Sequence, residues 1–318
     1  MGKLVIGTDK STGAAAIIVE RGVTPTGSVS LTSNGTYDVT DYATAEVNVA
    51  GSVPGYYKKL RVTQEGILEQ DWGQTTFSTS PATCISQAEL FFNAFVDPYD
   101  WSIHASIQTI DLDSLLEILG DNVFSCTWPM ITTIQSFSAA NLREIHGSYT
   151  FGQCFSDVAE TTGYLADWEF PSLESCEYGA FQECWARNLN VESISFPLLN
   201  DAATGDCFSG VCQSCHKLTT ASFPSLGYVS ASCFATAFSL IDPAGQDPQM
   251  PSHTLTLTFG GTDPIDFGGN VDCFNSMLDG TTVDVTINAP AASQSDIENM
   301  TGYPDFGCLG TVTWNWVS

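Results

Sequence analysis

Apolar positions in the central part of the chain recur with a long period, not with the short period of one helix or strand. Each clear copy has a Phe-Pro dipeptide after a short alternating segment, and a second phenylalanine eleven or twelve residues later. Both series advance by 26 or 27 residues per copy. Such a period indicates a solenoid, in which a unit buries its apolar face only by stacking on its neighbours. The Phe-Pro rings are Phe170, Phe196 and Phe223, and the following rings are Phe181, Phe208 and Phe234.

The same register continues more weakly on both sides, at Phe124 and Phe151 upstream and at Phe274 downstream. We expect about seven units, each with a short strand, a turn and one short helical turn, which is a mixed α/β but mainly β architecture. The recurring phenylalanines should form an internal ladder. The spacing stretches after Phe137 and again after Phe223, and we expect these insertions on one face, where they disturb no core position.

The run from Cys215 to Leu226 reads CHKLTTASFPSL. It resembles the BspA-like leucine-rich repeat family, whose units carry a phenylalanine-containing turn, a cysteine, then a leucine and a strand ending in Phe-Pro. The resemblance covers roughly residues 85–318 and is specific in the three central units. It implies a leucine-rich-repeat solenoid over residues 85–290. Residues 291–318 predict a capping helix and strand, with Ser293 and Asp296 as a capping pair for the helix.

The first 50 residues predict a separate β anchor. Two alternating segments flank Asn34-Gly35, which is a strong hairpin signal, and a third strand follows near residues 43–49. The stretch resembles a small β module of virion proteins from phages and prophages of gut bacteria. Two more strands are predicted around a turn at residues 11–13. Residues 51–84 are predicted as linker and N-terminal cap of the solenoid, with Gly51–Gly55 as the linker.

Composition limits the partners of the chain. Of its 318 residues 43% are hydrophobic and only 14% charged, yet 36 acidic residues against 9 basic ones give a net charge of −27. Such a surface should repel nucleic acid and anionic membranes. We find no segment approaching the ~20 apolar residues of a membrane helix and expect no membrane insertion. No secretion signal is recognisable at the N-terminus, so we expect synthesis in a bacterial cytoplasm.

The cysteines predict packing rather than chemistry. Eleven is an odd number, and most lie at repeat positions, as expected of buried free thiols. The run Cys212–His216 matches the Cys-x-x-Cys-His signature of c-type haem attachment, but both cysteines fall on the repeat. A zinc site would use Cys207, Cys212, Cys215 and His216, and has only one adequately spaced pair. We expect no cofactor and no metal, with zinc as the weaker alternative.

The chain shows no nucleophile elbow and no His-Glu-x-x-His motif. Acidic pairs such as Asp111 and Asp113 flank strand residues, but a glycosidase needs two carboxylates across a cleft, which sequence cannot locate. We therefore expect no enzyme. Aromatic residues outside the repeat register are the candidate ligand contacts, since tyrosine and tryptophan dominate binding hot spots. These are Trp101, Trp128, Tyr149, Tyr164, Trp168 and Trp185.

These observations and resemblances predict a non-enzymatic phage virion structural protein of the decoration or fibre type, located in the virion. Residues 1–50 would dock on other virion proteins, and the solenoid would be displayed to bind a host-surface or mucosal glycan or protein. Particle symmetry suggests a homo-oligomer, with a trimer as the guess. Two alternatives remain open: a bacterial BspA-like surface adhesin, and a tail-associated glycan-degrading enzyme.

Overall fold

In the computed structural model, the described residues before residue 72 form seven short strands. They form two sheets, with the orders β2-β1-β4 and β3-β5-β6-β7. The two strands predicted on either side of residues 11–13 are present as β1 and β2 and pair antiparallel, while residues 11–13 themselves lie outside the described residues. The bounds are β1 (Lys3–Thr8), β2 (Ala15–Glu20), β3 (Ser28–Leu31), β4 (Gly35–Tyr37), β5 (Thr44–Ala50), β6 (Tyr57–Val62) and β7 (Ile67–Asp71).

The hairpin turn predicted at Asn34-Gly35 falls partly outside the described residues, and the described strands that flank it, β3 and β4, do not pair with each other. The flanking strands β3 and β4 pair with longer strands instead: β3 lies parallel to β5, and β4 lies antiparallel to β1. Six- and seven-residue partners leave fewer backbone groups unpaired than two short strands would leave each other. Residues 51–55, predicted as a linker, lie outside the described residues, and the strands on either side of them, β5 and β6, are antiparallel neighbours.

A solenoid of about seven turns follows. The structure describes these seven strands, residues 75–79, 83–85, 88–92 and 95, and residues 106–202, 204–242 and 253–318. The solenoid strands are β8 (Thr76–Ser78), β9 (Cys84–Ile85), β10 (Thr109–Asp111), β11 (Glu117–Ile118), β12 (Ser136–Ser138), β13 (Glu144–Ile145), β14 (Asp167–Glu169), β15 (Ser175–Cys176), β16 (Ser193–Ser195), β17 (Asp201–Ala202), β18 (Thr220–Phe223), β19 (Tyr228–Val229), β20 (Thr254–Phe259), β21 (Asp284–Pro290) and β22 (Val312–Val317).

These strands form two faces of the solenoid, and neighbouring strands within each face are parallel. Face A consists of a three-stranded sheet, β12-β10-β8, and a six-stranded sheet, β14-β16-β18-β20-β21-β22. Face B is one six-stranded sheet of two-residue strands, β19-β17-β15-β13-β11-β9. The mainly β solenoid predicted from the sequence is thus confirmed. Its first strands, β8 and β9, both begin before residue 85, the predicted start of the array.

The third side of each coil is a run of turns and not the helical turn predicted for each unit. In the second coil, Asn122, Cys126 and Met130 all have φ between 50° and 60°, so a left-handed residue recurs every fourth position. A continuing helix would send its N–H groups back along its own chain. Here alternate N–H groups donate to the next coil, as from Phe124 to the Thr150 carbonyl at 2.8 Å. In the described residues, helix is confined to a 3₁₀ turn at Ala291–Ser293 and to α1 (Gln294–Glu298).

Stacked phenylalanines fill the interior, as predicted. One ladder runs along the third side with centroid separations of 5.2–5.7 Å, through Phe124, Phe151, Phe181, Phe208, Phe234 and Phe274. A second runs beneath face A at 5.2–5.8 Å, through Phe170, Phe196, Phe223 and Phe259. The two ladders meet edge to face, a preferred aromatic geometry worth ~0.5–1.5 kcal/mol per pair beyond area burial.

The predicted capping pair before the terminal helix is wrong in detail. Ser293 stands at the N-cap position of α1, but its side chain makes no capping hydrogen bond. Its Oγ accepts instead from the Ile265 backbone N–H at 2.7 Å. The hydroxyl is buried, and it satisfies a backbone donor in the neighbouring coil that would otherwise lack a partner. None of the described helices is long and apolar enough to cross a membrane.

One insertion interrupts face A. In three coils the face A strand begins six positions after the last left-handed residue, as from Arg187 to Ser193, whereas β14 begins ten positions after Asp157. The inserted residues are held by later coils: Thr161 N–H donates to Asn190 at 2.7 Å, and Lys217 pairs with Glu160 at 2.6 Å. The strands β12 and β14 on either side of it are not paired. This insertion was expected to leave the repeat undisturbed, but it interrupts the strand pairing of face A.

Candidate functional site

The outward side chains of face A form two polar rows along the solenoid. The strand register brings one residue from each strand into each row. Between them lies a row of inward residues, which alternation along a strand requires. The first row is Thr76, Thr109, Ser136, Asp167, Ser193, Thr220, Thr256, Thr286 and Thr313, and the second is Ser78, Asp111, Ser138, Glu169, Ser195, Ser222, Thr258, Asn288 and Asn315.

Hydrogen bonds between neighbouring strands hold parts of these rows in place. Ser136 Oγ lies 3.1 Å from Thr109 Oγ1 in the first row. In the second, Asn288 Nδ2 donates to Thr258 Oγ1 at 3.2 Å and Asn315 Nδ2 to Asn288 Oδ1 at 3.1 Å. Face A is therefore an extended, pre-organised array of hydroxyl and amide groups. Such an array loses little side-chain entropy when a ligand binds.

A groove opens on face A where β12 and β14 fail to pair. We call it the β12–β14 groove. Its volume is about 400 Å³, which lies within the ~300–1,000 Å³ range of ligand pockets. Ser138 of β12 lines one side, and Asp167 and Glu169 of β14 line the other together with two serines of β16. Phe137, an inward residue of β12, lies at the base. The lining residues are Phe137, Ser138, Ala139, Ala140, Asp167, Trp168, Glu169, Pro171, Ser193 and Ser195.

Both outward positions of β14 are acidic, which holds for no other described strand of face A. Asp167 and Glu169 are exposed, and Asp167 accepts a hydrogen bond from Ser193 Oγ at 2.6 Å. Successive outward positions on a strand lie ~6.6 Å apart, twice the rise per residue. The two carboxylates thus project from one wall of the groove with oxygens available to hydrogen-bond donors.

The ring of Phe137 lies at the base of the groove, at a position of the inward row where side chains are normally fully buried. Phe77, Ile110, Trp168 and Ile194 occupy the same inward row and are 0–1% exposed. Phe137 is only partly buried, because no paired strand covers it on the β14 side. Its ring still packs against Trp168 with centroids 5.1 Å apart, so it is fixed in position.

The aromatic residues predicted as ligand contacts are mostly internal. Trp128, Trp168 and Trp185 are 0–1% exposed, and Tyr164 is 8% exposed. Burial raises the pKa of the Tyr164 hydroxyl, which lies 3.2 Å from Asn188 Nδ2. These four residues have no ring surface to offer a ligand and belong to the core.

The two remaining candidates differ from these four. Tyr149 is partly exposed on the third side and meets Tyr178 edge to face with centroids 5.3 Å apart. Trp101 lies outside the described residues. The groove residues Phe137, Asp167 and Glu169 were not predicted. The sequence feature that could have identified them is the pair of acidic residues in β14, which follows directly after the stretched spacing of the repeat.

A second polar cluster lies on face B. Glu117, Glu144 and His146 place one ligand atom each within 4.8 Å of one another, a set that could hold a metal ion. His146 is already engaged, with its two ring nitrogens 2.9 Å from Glu144 and 3.4 Å from Glu177. Hydrogen bonding to Glu144, followed by Glu177, raises the pKa of His146. Once the imidazole is protonated, His146 forms ion pairs with Glu144 and Glu177.

The residues weighed for a zinc or haem site make separate contacts. Cys207 Sγ lies 2.9 Å from the Glu177 carbonyl, and Cys215 Sγ lies 2.9 Å from the Trp185 carbonyl. His216 Nδ1 accepts from the Asp242 backbone N–H at 3.0 Å. Burial raises the pKa of the Cys212 thiol well above its ordinary value, which disfavours the thiolate that a metal requires. These side chains act as packing and hydrogen-bonding groups.

No protein-family model, curated protein or solved structure matches the chain. The candidate site therefore rests on its own geometry. Two features of face A stand out: the long hydroxyl-rich rows, and the groove that interrupts them.

Proposed function

We propose that the chain is a non-enzymatic phage virion structural protein of the decoration or fibre type, whose solenoid binds a host-surface or mucosal ligand through face A. The observation that carries the binding part is the extent of the outward polar rows, which cross both sheets of this face. Most of these side chains are Ser, Thr or Asn. Hydroxyl and amide groups can both donate and accept hydrogen bonds, so a face of this composition can hold a ligand by many hydrogen bonds spread over its surface.

The rigidity of the solenoid supports a role in display. Nine parallel strands back face A, and the stacked rings of the core lie directly beneath it. Neighbouring coils are also bonded on face B and on the third side. A protein built in this way holds surface groups at fixed spacings, and preorganisation of this kind favours binding by lowering its entropic cost.

Attachment to a particle is proposed from the sequence resemblance of residues 22–50 to phage and prophage virion modules. In this proposal the N-terminal strands contact other virion proteins, and the copies assemble as a homo-oligomer that follows the symmetry of the particle, with a trimer as the guess. The strongly acidic chain, at −27, would keep such a surface soluble and disfavour nucleic acid and anionic membranes as partners. A bacterial surface adhesin would use the same face for the same kind of ligand.

One observation favours a second candidate, a tail-associated glycan-degrading enzyme. Asp167 and Glu169 line one groove, and their ~6.6 Å spacing along the strand is close to the ~6.5–9.5 Å of an inverting carboxylate pair. Both acids project from the same wall, however, whereas the two catalytic groups of a glycosidase flank the scissile bond. We therefore favour binding over hydrolysis.

Incubation of the purified chain with host cells and with mucin tests this proposal. Retention of the chain on cells or mucin, without release of soluble sugar, is the expected result. Release of reducing sugar that stops in the Glu169→Gln variant would establish the enzyme instead. Absence of any retention would remove the binding role of the solenoid.

A further inference from the structure

We propose that the β12–β14 groove binds a neutral oligosaccharide, and that it is the site at which the hydroxyl-rich face gains selectivity. This inference rests on the proposed ligand-binding function of face A and specifies its ligand class. Three observations carry it: a partly uncovered ring at the base, carboxylates on one wall, and hydroxyls on both sides.

The base of the groove offers a surface for the apolar side of a sugar. A pyranose ring has one face lined by C–H groups and a rim of hydroxyls. Phe137 is the inward residue of face A that the missing strand pairing leaves partly uncovered. Its ring is held by Trp168, Phe155 and Phe170 at centroid distances of 5.1–5.8 Å. The C–H face of a sugar can pack on this ring without displacing it.

The walls offer acceptors for the rim of hydroxyls. Asp167 and Glu169 are exposed carboxylates on β14, and carboxylates accept strong, charge-assisted hydrogen bonds from hydroxyl donors. Ser193 Oγ fixes one oxygen of Asp167, which orients the carboxylate and leaves its other oxygen for a ligand. Ser138 and Ser195 line the groove from opposite sides, and a hydroxyl can both donate and accept.

Charge decides which sugars fit. The groove contains two carboxylates and no basic side chain among its lining residues, and the whole chain carries a net charge of −27. A sulfated or sialylated sugar would meet repulsion there. A basic peptide would be attracted by charge, but it would make little use of the partly uncovered ring and the flanking serines. The combination of ring, carboxylates and hydroxyls favours a neutral chain of hexoses or N-acetylhexosamines.

An immobilised panel of oligosaccharides, probed with the full chain, tests this inference. The panel contains neutral hexose and N-acetylhexosamine oligomers together with sulfated and sialylated ones. We expect binding to a neutral member, and a loss of at least about tenfold in the Asp167→Asn/Glu169→Gln variant, since hydrogen bonds to charged groups are the stronger ones. Phe137→Leu, which keeps an apolar side chain but removes the ring, should also weaken binding.

The matched control removes the same charge from face B, through Glu117→Gln and Glu174→Gln. Neither side chain lines the β12–β14 groove, so this variant should bind like the unaltered chain. Undiminished binding by the groove variant, or an equal loss in the control, would overturn the groove as the site while leaving the proposed function intact. If the unaltered chain binds neither sugars nor host cells, the proposed function fails as well. Binding that disappears with moderate salt would overturn the sugar in favour of a basic peptide.

Discussion

The rings of Phe181 and Phe208 stack with centroids 5.3 Å apart and planes within 2° of parallel. They occupy equivalent positions in successive coils, joined by a hydrogen bond from Phe181 N–H to the Cys207 carbonyl at 2.8 Å. The backbone bond sets the coil spacing, and the ring fills the space that this spacing creates. Coil spacing and core packing therefore depend on each other along the array.

Truncation of one ladder ring should strongly destabilise the solenoid. Phe208→Ala should lower the free energy of unfolding by ~3–5 kcal/mol, the usual range for a buried phenylalanine, because Phe208 is fully buried. Equilibrium unfolding in urea measures this. Leu198→Ala is the control, since Leu198 is 50% exposed and should change stability by less than ~0.5 kcal/mol. Similar losses in the two variants would contradict the ladder.

The left-handed positions of the third side predict a stabilising substitution. Thr236 has φ of 53°, a conformation that a β-branched side chain adopts only at a cost. Thr236→Asn should raise stability by ~0.5–1 kcal/mol, since asparagine tolerates this region. Thermal unfolding provides the measurement. Thr220→Asn, on the regular strand β18, should instead lower stability because asparagine is disfavoured in strands, and stabilisation there but not at 236 would refute the argument.

Protonation of His146 should stabilise the fold in mild acid. The hydrogen bonds that its ring donates to Glu144 and Glu177 raise its pKa, so the folded state holds a proton that the unfolded chain releases above ~6.5. The stabilisation is therefore complete below that pH and disappears as pH rises through the folded pKa. His146→Gln should cost less than ~1 kcal/mol at pH ~5.5, because the pair is exposed, and nothing at pH ~8.5. An equal cost at both pH values would contradict this.

His216 should act in the opposite direction. Burial lowers its pKa, and its Nδ1 accepts from the Asp242 backbone N–H, which requires the unprotonated nitrogen. The unfolded chain then takes up a proton below ~6.5 that the folded chain refuses, so stability is lost as pH falls below that value. NMR titration should find His146 titrating above, and His216 below, the ordinary histidine range. The reverse order would contradict both assignments.

The cysteines should divide into two classes of reactivity. Eight thiols are buried, whereas Cys84, Cys126 and Cys308 are partly exposed. Burial also raises the pKa of buried thiols such as Cys154 and Cys184, which suppresses the reactive thiolate. A thiol reagent should modify the three partly exposed thiols first and the eight buried thiols only after denaturation. Rapid labelling of Cys212 or Cys215 in the folded chain would contradict their burial.

Periodicity was sufficient to predict the solenoid and its ring ladders, because stacking repeats the same packing requirement in every coil. The periodicity was misapplied to the tryptophans, which were predicted to lie outside the repeat register as ligand contacts. Trp128 and Trp185 each follow a ladder phenylalanine by four residues, where other coils place Phe155 or Phe238. They thus belong to a second internal row, whose members differ in type but share a position. A search by spacing alone would have found this row.

The groove could not be predicted from the sequence, and the reason is physical. The stretched spacing before Asp167 was visible, but its effect depends on where the added residues go. Leu165 N–H still bonds to the Ile134 carbonyl at 2.9 Å, whereas the strands beyond it do not pair. Only the three-dimensional path of the insertion determines that Phe137 loses its cover while face B remains continuous through β13 and β15.

Mass spectrometry of gradient-purified phage particles from an induced culture of the source organism tests the central claim most directly. Recovery of the chain with the particles, in constant ratio to the capsid and tail proteins, is the result predicted for a virion component. The ratio would also indicate its position on the particle and its oligomeric state. Absence from the particles, with the chain found on the bacterial surface, would contradict the virion assignment and establish the adhesin in its place.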